Sequence, residues 1–308
     1  MKQSAHEKNI KRSVDGVLLV DKPPHITSNA LLQTVKKLFY AKKAGHSGAL
    51  DPMATGILPI CLGQATKFSQ FLLNADKRYL AAAQLGQTTN TGDCEGEVLT
   101  TADTTHITLE KIRSLLPMFC GKIKQTPPMF SALKQNGIPL YKLARAGKTV
   151  VRQARCIEIF KLTLLHYEND LLTYDVHCSK GTYIRTLAED MGKALGVGAS
   201  LQSLRRIGFA HYDIKQAYTL DTLKHLAAKG TDALDSTLRN KEDMLNPLKR
   251  FDLNAQQSIA IQQGQMIPVN QCSHTLGWVK LFAAGQFIGV GKIVDDVLMP
   301  KRLLSEKG

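Results

Sequence analysis

Long apolar runs, closely spaced cysteine pairs and any acidic excess are missing from this 308-residue chain. No stretch approaches the roughly 18 apolar residues needed to cross a bilayer, so a membrane-spanning helix is not expected. The first 13 residues are polar and basic and lack the apolar centre of a secretory signal; a flexible basic N-terminus over 1–13 and a cytoplasmic location are expected. The six cysteines (Cys61, Cys94, Cys120, Cys156, Cys178, Cys272) contain no CxxC pair. That spacing argues against a zinc ribbon or a disulfide scaffold and for reduced, mostly buried thiols. No HExxH or zinc-deaminase pattern occurs, and the nine histidines show no metal-ligand spacing. Gly147-Lys148-Thr149 imitates the end of a phosphate-binding loop, but Lys142 stands where its first glycine is required. Gly196-Val197-Gly198 and Gly289-Val290-Gly291 lack the third glycine of a dinucleotide fingerprint. Neither a metal nor a cofactor is expected.

Hydrophobic residues make up 44% and charged residues 21%, which suits a globular protein with a real core. The balance of 40 Lys+Arg against 26 Asp+Glu, net +14, points to a polyanionic partner. Nucleic acid fits better than membrane, because no amphipathic anchor is present. Only +2 of that excess lies in 250–308. The dense basic clusters are Lys36, Lys37, Lys42 and Lys43; Lys122, Lys124 and Lys134; and Lys142, Arg145, Lys148 and Arg152. Singly, each reads as a solvated lysine or arginine; together they read as a phosphate-binding surface.

Short β-branched runs and isolated amphipathic stretches alternate along the first 249 residues. Residues 14–20 predict a buried strand. Thr27 or Ser28 caps a helix from Asn29 to about Phe39, with Leu31, Val35 and Leu38 or Phe39 on one face. Residues 79–85 and 97–100 read as a hairpin with a long loop, and 156–166 and 171–179 as a second, around Glu168-Asn169-Asp170. Residues 182–195 predict a helix with Leu187, Met191 and Leu195 on one stripe. The class is therefore α+β, with a mixed, largely antiparallel sheet flanked by helices. The polar, turn-rich 231–249 reads as a linker, and 250–308 as a small all-β module.

The chemistry is concentrated in Gly45-His46-Ser47-Gly48-Ala49-Leu50-Asp51-Pro52-Met53-Ala54-Thr55-Gly56. Pro52 drives Asp51 out of helical geometry, and the flanking glycines allow another backbone to come close. Asp51 is thereby displayed on a stiff loop. By itself such a residue is more often an Asx-turn former.

The longer string Gly45 to Phe68 resembles the catalytic signature of the TruB family, the bacterial tRNA pseudouridine-55 synthases. Further matching segments follow in order: Leu18 to Pro23 with Thr27-Ser28, Lys77-Arg78-Tyr79, Gln125 to Lys134, Tyr141 to Gly147, Cys178 to Leu187, and Leu204-Arg205-Arg206. His25 stands where the family usually has glycine, and Ser47 where threonine is common. The resemblance implies the pseudouridine synthase fold over 14–249 and a β-barrel-like PUA domain over 250–308. It implies conversion of uridine 55 in the tRNA T-loop to pseudouridine, after the base is flipped out.

Pseudouridine formation breaks the C1′–N1 bond, turns the base and rejoins it through C5, with nothing oxidised and nothing lost. By the resemblance Asp51 is the catalytic carboxylate; attack at C1′, addition at C6 and removal of the C2′ proton are all open to it. Arg185 is its counter-ion, since a buried carboxylate otherwise holds its proton. Tyr79 stacks on the target base, Tyr183 stands near it, Leu204 walls the pocket, and His46 supports the opened T-loop. Lys22 and Pro23 buttress the loop. The implied partner is the tRNA T-stem-loop, bound by a monomer that needs no guide RNA; a tRNA-folding factor in which modification is secondary is the alternative.

Overall fold

The computed structural model describes residues 11–269 and 277–305. Most of the expected flexible N-terminus, and Cys272, lie outside the described residues. Val17-Leu18-Leu19-Val20 is buried on both faces and forms the strand Gly16–Lys22. Because side chains alternate along a strand, it serves two cores. Leu18 and Val20 pack toward the helix Ser28–Leu38, while Val17 and Leu19 pack toward Phe68 and Phe209. The helix starts where Thr27 accepts the Ala30 N–H at 3.0 Å, and it buries Leu31 and Val35.

The main sheet runs in the order Tyr218–Thr219, Gly16–Lys22, Thr55–Leu62, Ala199–Phe209, Lys77–Leu85, Leu171–Cys178, Arg155–Glu168, Gly121–Gln125. All neighbours on this path are antiparallel except the pairs 16–22 with 218–219 and 55–62 with 199–209. The mixed, largely antiparallel sheet expected of an α+β chain is present. Asn169 (φ 50°) and Asp170 (φ 61°) make the tight turn of the hairpin 155–168/171–178, as the sequence suggested.

The first expected hairpin is not formed. The strand Lys77–Leu85 has 171–178 on one edge and 199–209 on the other. Gly86, at φ 81°, turns the chain, and it is Gln87–Thr89 that pairs with Val98–Thr101. Residues 231–249 are not a free linker either. Leu234, Met244 and Leu245 are buried, and Arg239 exchanges two backbone hydrogen bonds of 2.9 Å with Val17. Their apolar residues are too widely spaced to give a periodic signal.

The C-terminal module is a curled five-stranded sheet, ordered Lys249–Leu253, Gly277–Ala283, Gln286–Val294, Val297–Leu303, Ile267–Pro268. It is not all β. Residues Ala255–Gln262 form a helix, because Asn254 and Gln257 make a reciprocal capping box that overrides the strand-like Ile259-Ala260-Ile261. The module shares a core with the main sheet: Phe287, Val290 and Leu304 pack with Phe68, Leu72 and Val17. The Gln64 side chain exchanges two hydrogen bonds with the Ser305 backbone, and Lys67 Nζ donates to Leu303 O at 2.9 Å. The expectation of mostly buried thiols fails among the described cysteines. Cys61 and Cys178 are buried, while Cys94, Cys120 and Cys156 are exposed. Among the described residues no helix is long and apolar enough to cross a membrane.

Candidate active site

The loop 47–56 joins two strands of the main sheet, and its main chain is tied at nearly every step. Gly48 O accepts from Arg206 Nη2 at 2.9 Å. Leu50 is clamped by one hydroxyl: Ser28 Oγ accepts the Leu50 N–H at 2.8 Å and faces Leu50 O at 3.0 Å. Asp51 O accepts the Ala54 N–H at 3.1 Å. Pro52 O accepts from the His25 N–H at 2.9 Å and from Lys22 Nζ at 3.1 Å, and Lys22 Nζ also reaches Pro23 O at 2.9 Å. Two glycines are sterically required. At Gly56 (φ 108°) a Cβ would stand 2.2 Å from Arg206 O, and at Gly48 (φ 69°) it would press on the Phe209 ring at 3.1 Å. His25, at φ 64°, takes a left-handed conformation that suits glycine. The departure at this position therefore changes the residue and not the turn.

With the main chain occupied, the Asp51 side chain is left to face a small cavity. Its wall holds Asp51, Tyr79, Tyr183, Arg185 and Leu204, together with Ala49, Leu50, Thr182 and Ile184. The cavity volume is about 120 Å³, room for a single flat ring. Asp51 is 39% exposed through the mouth, whereas Arg185 is 5% exposed behind it. Arg185 Nε lies 3.0 Å from Asp51 Oδ2. The guanidinium cannot swing, because Nη1 donates to Thr91 O at 2.9 Å and Nη2 to Phe130 O at 2.6 Å. A second carboxylate, Asp93, stands 3.6 Å from Arg185 Nε. Asp93 is aimed by Thr91 Oγ1 at 2.6 Å and the Glu95 N–H at 3.2 Å.

Burial pushes the Asp51 carboxyl above its usual range, with Arg185 opposing and Asp93 adding to the rise. Burial also lowers the Lys22 ammonium to about 8. Tyr79 and Tyr183 have their phenols raised, in both cases chiefly by burial. Tyr79 lies on the strand 77–85 opposite Arg206, and Tyr183 precedes the helix Ile184–Ala194. Gln125 fixes Tyr183, accepting its N–H at 2.8 Å and donating to its carbonyl at 3.0 Å.

Five of the residues singled out from sequence thus meet in one pocket, and Lys22 bonds to its loop at Pro52 O, while Pro23 contributes only a carbonyl to Lys22. His46 does not line this wall. It ends the strand Ala44–His46, paired with Ile60, with Nδ1 buried and unbonded. Sequence reasoning did not single out Asp93, Gln125, Ser28 or Arg206 for any role at the site. Ser28, Gln125 and Arg206 bond to main-chain groups far along the chain, and Asp93 reaches the site only through the Arg185 side chain, so no local spacing announces them.

In its fold the chain is similar to two solved assemblies. An H/ACA RNP bound to a substrate RNA containing 2'-deoxyuridine superposes with a TM-score of 0.72 at 23% identity, over 94% of this chain and 84% of that one. A Cbf5-Nop10-Gar1 complex gives 0.69 at 26% identity, over 90% and 78%. The class is that of the pseudouridine synthases. Three family models then divide the chain: TruB family pseudouridylate synthase (N terminal domain) over 36–184, tRNA pseudouridylate synthase B C-terminal domain over 185–248, and pseudouridine synthase II TruB, C-terminal, over 250–304. Among curated relatives, the tRNA pseudouridine synthase B of Pasteurella multocida is 49% identical over 299 residues, 96% of this chain and 97% of its own. That of Coxiella burnetii (strain RSA 493) is 48% identical over 310 residues, the full length of both. The chain belongs to the TruB family of pseudouridine synthases.

Proposed function

We propose that this enzyme isomerises uridine 55 in the T-loop of tRNA, with Asp51 as its catalytic carboxylate. The observation that carries the reading is the Asp51–Arg185 pair at 3.0 Å, in the wall of a cavity that admits one ring. A uridine inside a folded T-loop has to leave its stack to reach such a cavity. Once seated, it covers the exposed part of Asp51 and excludes water. Desolvation then favours the neutral acid, and Arg185, immobilised by two carbonyls, keeps the carboxylate ionised.

The reaction balances without any added group. The C1′–N1 bond breaks, the base turns, C1′ bonds to C5, and the hydrogen displaced from C5 is replaced by one at N1. Attack at C1′, addition at C6 and removal of the C2′ proton each need one ionised oxygen facing the nucleoside. Tyr79 supplies an aromatic face for the base, a contact worth on the order of 1–3 kcal/mol. Leu204 closes the apolar side, and Tyr183 stands beside the ion pair. His46, outside the ring-sized cavity, is assigned to the opened T-loop around it. Lys22 and Pro23 hold the loop and take no part in bond changes.

The exposed lysines, with Arg145 and the half-buried Lys36 and Arg152, bind the tRNA backbone. Residues 14–249 form the catalytic unit and 250–308 a PUA-like module that reads RNA shape near the acceptor stem. The protein acts as a cytoplasmic monomer, without guide RNA. The test is incubation with unmodified tRNA followed by mapping of pseudouridine at nucleotide resolution. A single new pseudouridine at position 55 is expected, also on a bare T-arm hairpin. Modification elsewhere, or a need for a guide strand, overturns the assignment.

A further inference from the structure

Arg206 is the largest fully buried side chain among the described residues, at 1% exposure. Among the described residues no carboxylate forms an ion pair with it; the cations Lys22 and Lys77 and the Tyr79 phenol stand near it. A buried guanidinium without a counter-ion is costly, and an apolar residue of similar shape commonly does as well for stability alone. Its contacts show what it holds. Its backbone pairs with Gly56, at the end of the Asp51 loop. Its side chain reaches the beginning of that loop, with Nη2 on Gly48 O at 2.9 Å, and the strand just past its end, with Nε on Ile57 O at 2.8 Å. Its backbone is also paired across the sheet with Tyr79 on the strand 77–85, and its guanidinium carbon lies over the Phe209 ring, 4.8 Å from the centroid. One residue therefore brackets the Asp51 loop at both ends and ties it to the tyrosine of the pocket. Lys22, the other buried cation beneath the loop, holds only its middle, through Pro52 O.

We propose that Arg206 is a positioning residue for the isomerisation: it sets the distance between the Asp51 carboxylate and the Tyr79 ring by fixing loop and strand in one hydrogen-bonded frame. A guanidinium suits this because it presents donors in a rigid planar fork and accepts none. The inference rests on the proposed role of Asp51 at uridine 55.

The test measures single-turnover pseudouridine formation and tRNA affinity separately, for the wild type, Arg206→Met, Arg206→Lys, Tyr79→Phe and the double variant Arg206→Met/Tyr79→Phe. Arg206→Met is expected to slow the chemical step at least hundredfold while the Kd for tRNA changes less than threefold. Arg206→Lys keeps the charge but not the fork, and is expected to recover less than a tenth of the lost rate. The double variant is expected to be no slower than the slower single variant, because both changes break one frame. Should Arg206→Met fail to fold, Arg206→Lys and its cycle with Tyr79→Phe supply the same readout. A wild-type rate in either Arg206 variant, a rate loss matched by loss of tRNA affinity, or multiplicative effects in the double variant overturn the proposal. Wild-type turnover in the same assay tests the underlying reading separately: if the wild type forms no pseudouridine at position 55, that reading fails first.

Discussion

Arg185 and Lys42 carry the same charge and do opposite work. Arg185 is 5% exposed, held by two carbonyls and shared between Asp51 and Asp93. Lys42, like Lys43, Lys122 and Lys124, stands exposed on the outer surface. Inside, where water is scarce, one cation decides the protonation state of a carboxylate. Outside, screening makes each lysine weak, and only their sum acts on a polyanion. On the proposed reading chemistry and affinity lie in different dielectric environments, so the two ought to be separable by mutation.

The largest break in that separation is expected from Arg185→Met. Removing the counter-ion should lower the single-turnover rate at least hundredfold, while tRNA affinity falls only modestly; an equal loss of both would erase the distinction between inside and outside. Next comes salt. Raising it from about 50 to 200 mM should weaken tRNA binding by roughly tenfold or more, with a linear log–log slope and little change in the rate at saturating enzyme. A flat response would remove the basic surface from the account.

Acidification sharpens the comparison on the inner side. Burial raises Asp51, so the folded chain holds that proton more tightly than the unfolded chain. Its ionised form at neutral pH therefore weighs against folding, and this penalty disappears below the unfolded-chain value of about 3.9. Asp51→Asn should accordingly have a melting temperature at or above the wild type at pH 7, the gap closing as pH falls toward about 4. The wild-type rate should drop on the acid side at a pH above the ordinary carboxylate range. The smallest effect concerns His25. Replacement by glycine at φ 64° should stabilise the protein by about 1 kcal/mol, read from denaturant unfolding, and leave the rate within twofold.

Deleting 250–308 looks harmless from a sequence that places a polar stretch before a small separate module. The structure changes that expectation. Phe287 and Val290 share a core with Phe68 and Leu72, so the cut uncovers apolar surface on the catalytic unit and should lower its melting temperature.

What could be read from sequence was local. Thr27 capping a helix, Asn169-Asp170 turning a hairpin and Pro52 stiffening the Asp51 loop each act within a few residues of themselves. The pairing of Tyr79 with its strand neighbours was misread because edge occupancy is decided by segments a hundred residues away. Distance along the chain likewise hid Ser28, Gln125 and Arg206, whose partners are main-chain groups of Leu50, Tyr183 and Gly48, 22, 58 and 158 residues away. The segment 231–249 misled for another reason: its buried apolar side chains, Leu234, Met244 and Leu245, are too few to form a pattern. Asp51, Arg185, Tyr79, Tyr183 and Leu204 were found through family resemblance, and composition would not have brought them together.

The central claim is that a single carboxylate performs the isomerisation in a pocket that other groups merely shape. Asp51→Asn tests it most directly, with tRNA affinity and pseudouridine yield at position 55 measured on the same preparation. The account predicts a Kd within about threefold of the wild type and no detectable product after many wild-type half-times. Product formed at a rate comparable to the wild type, with binding intact, would contradict it.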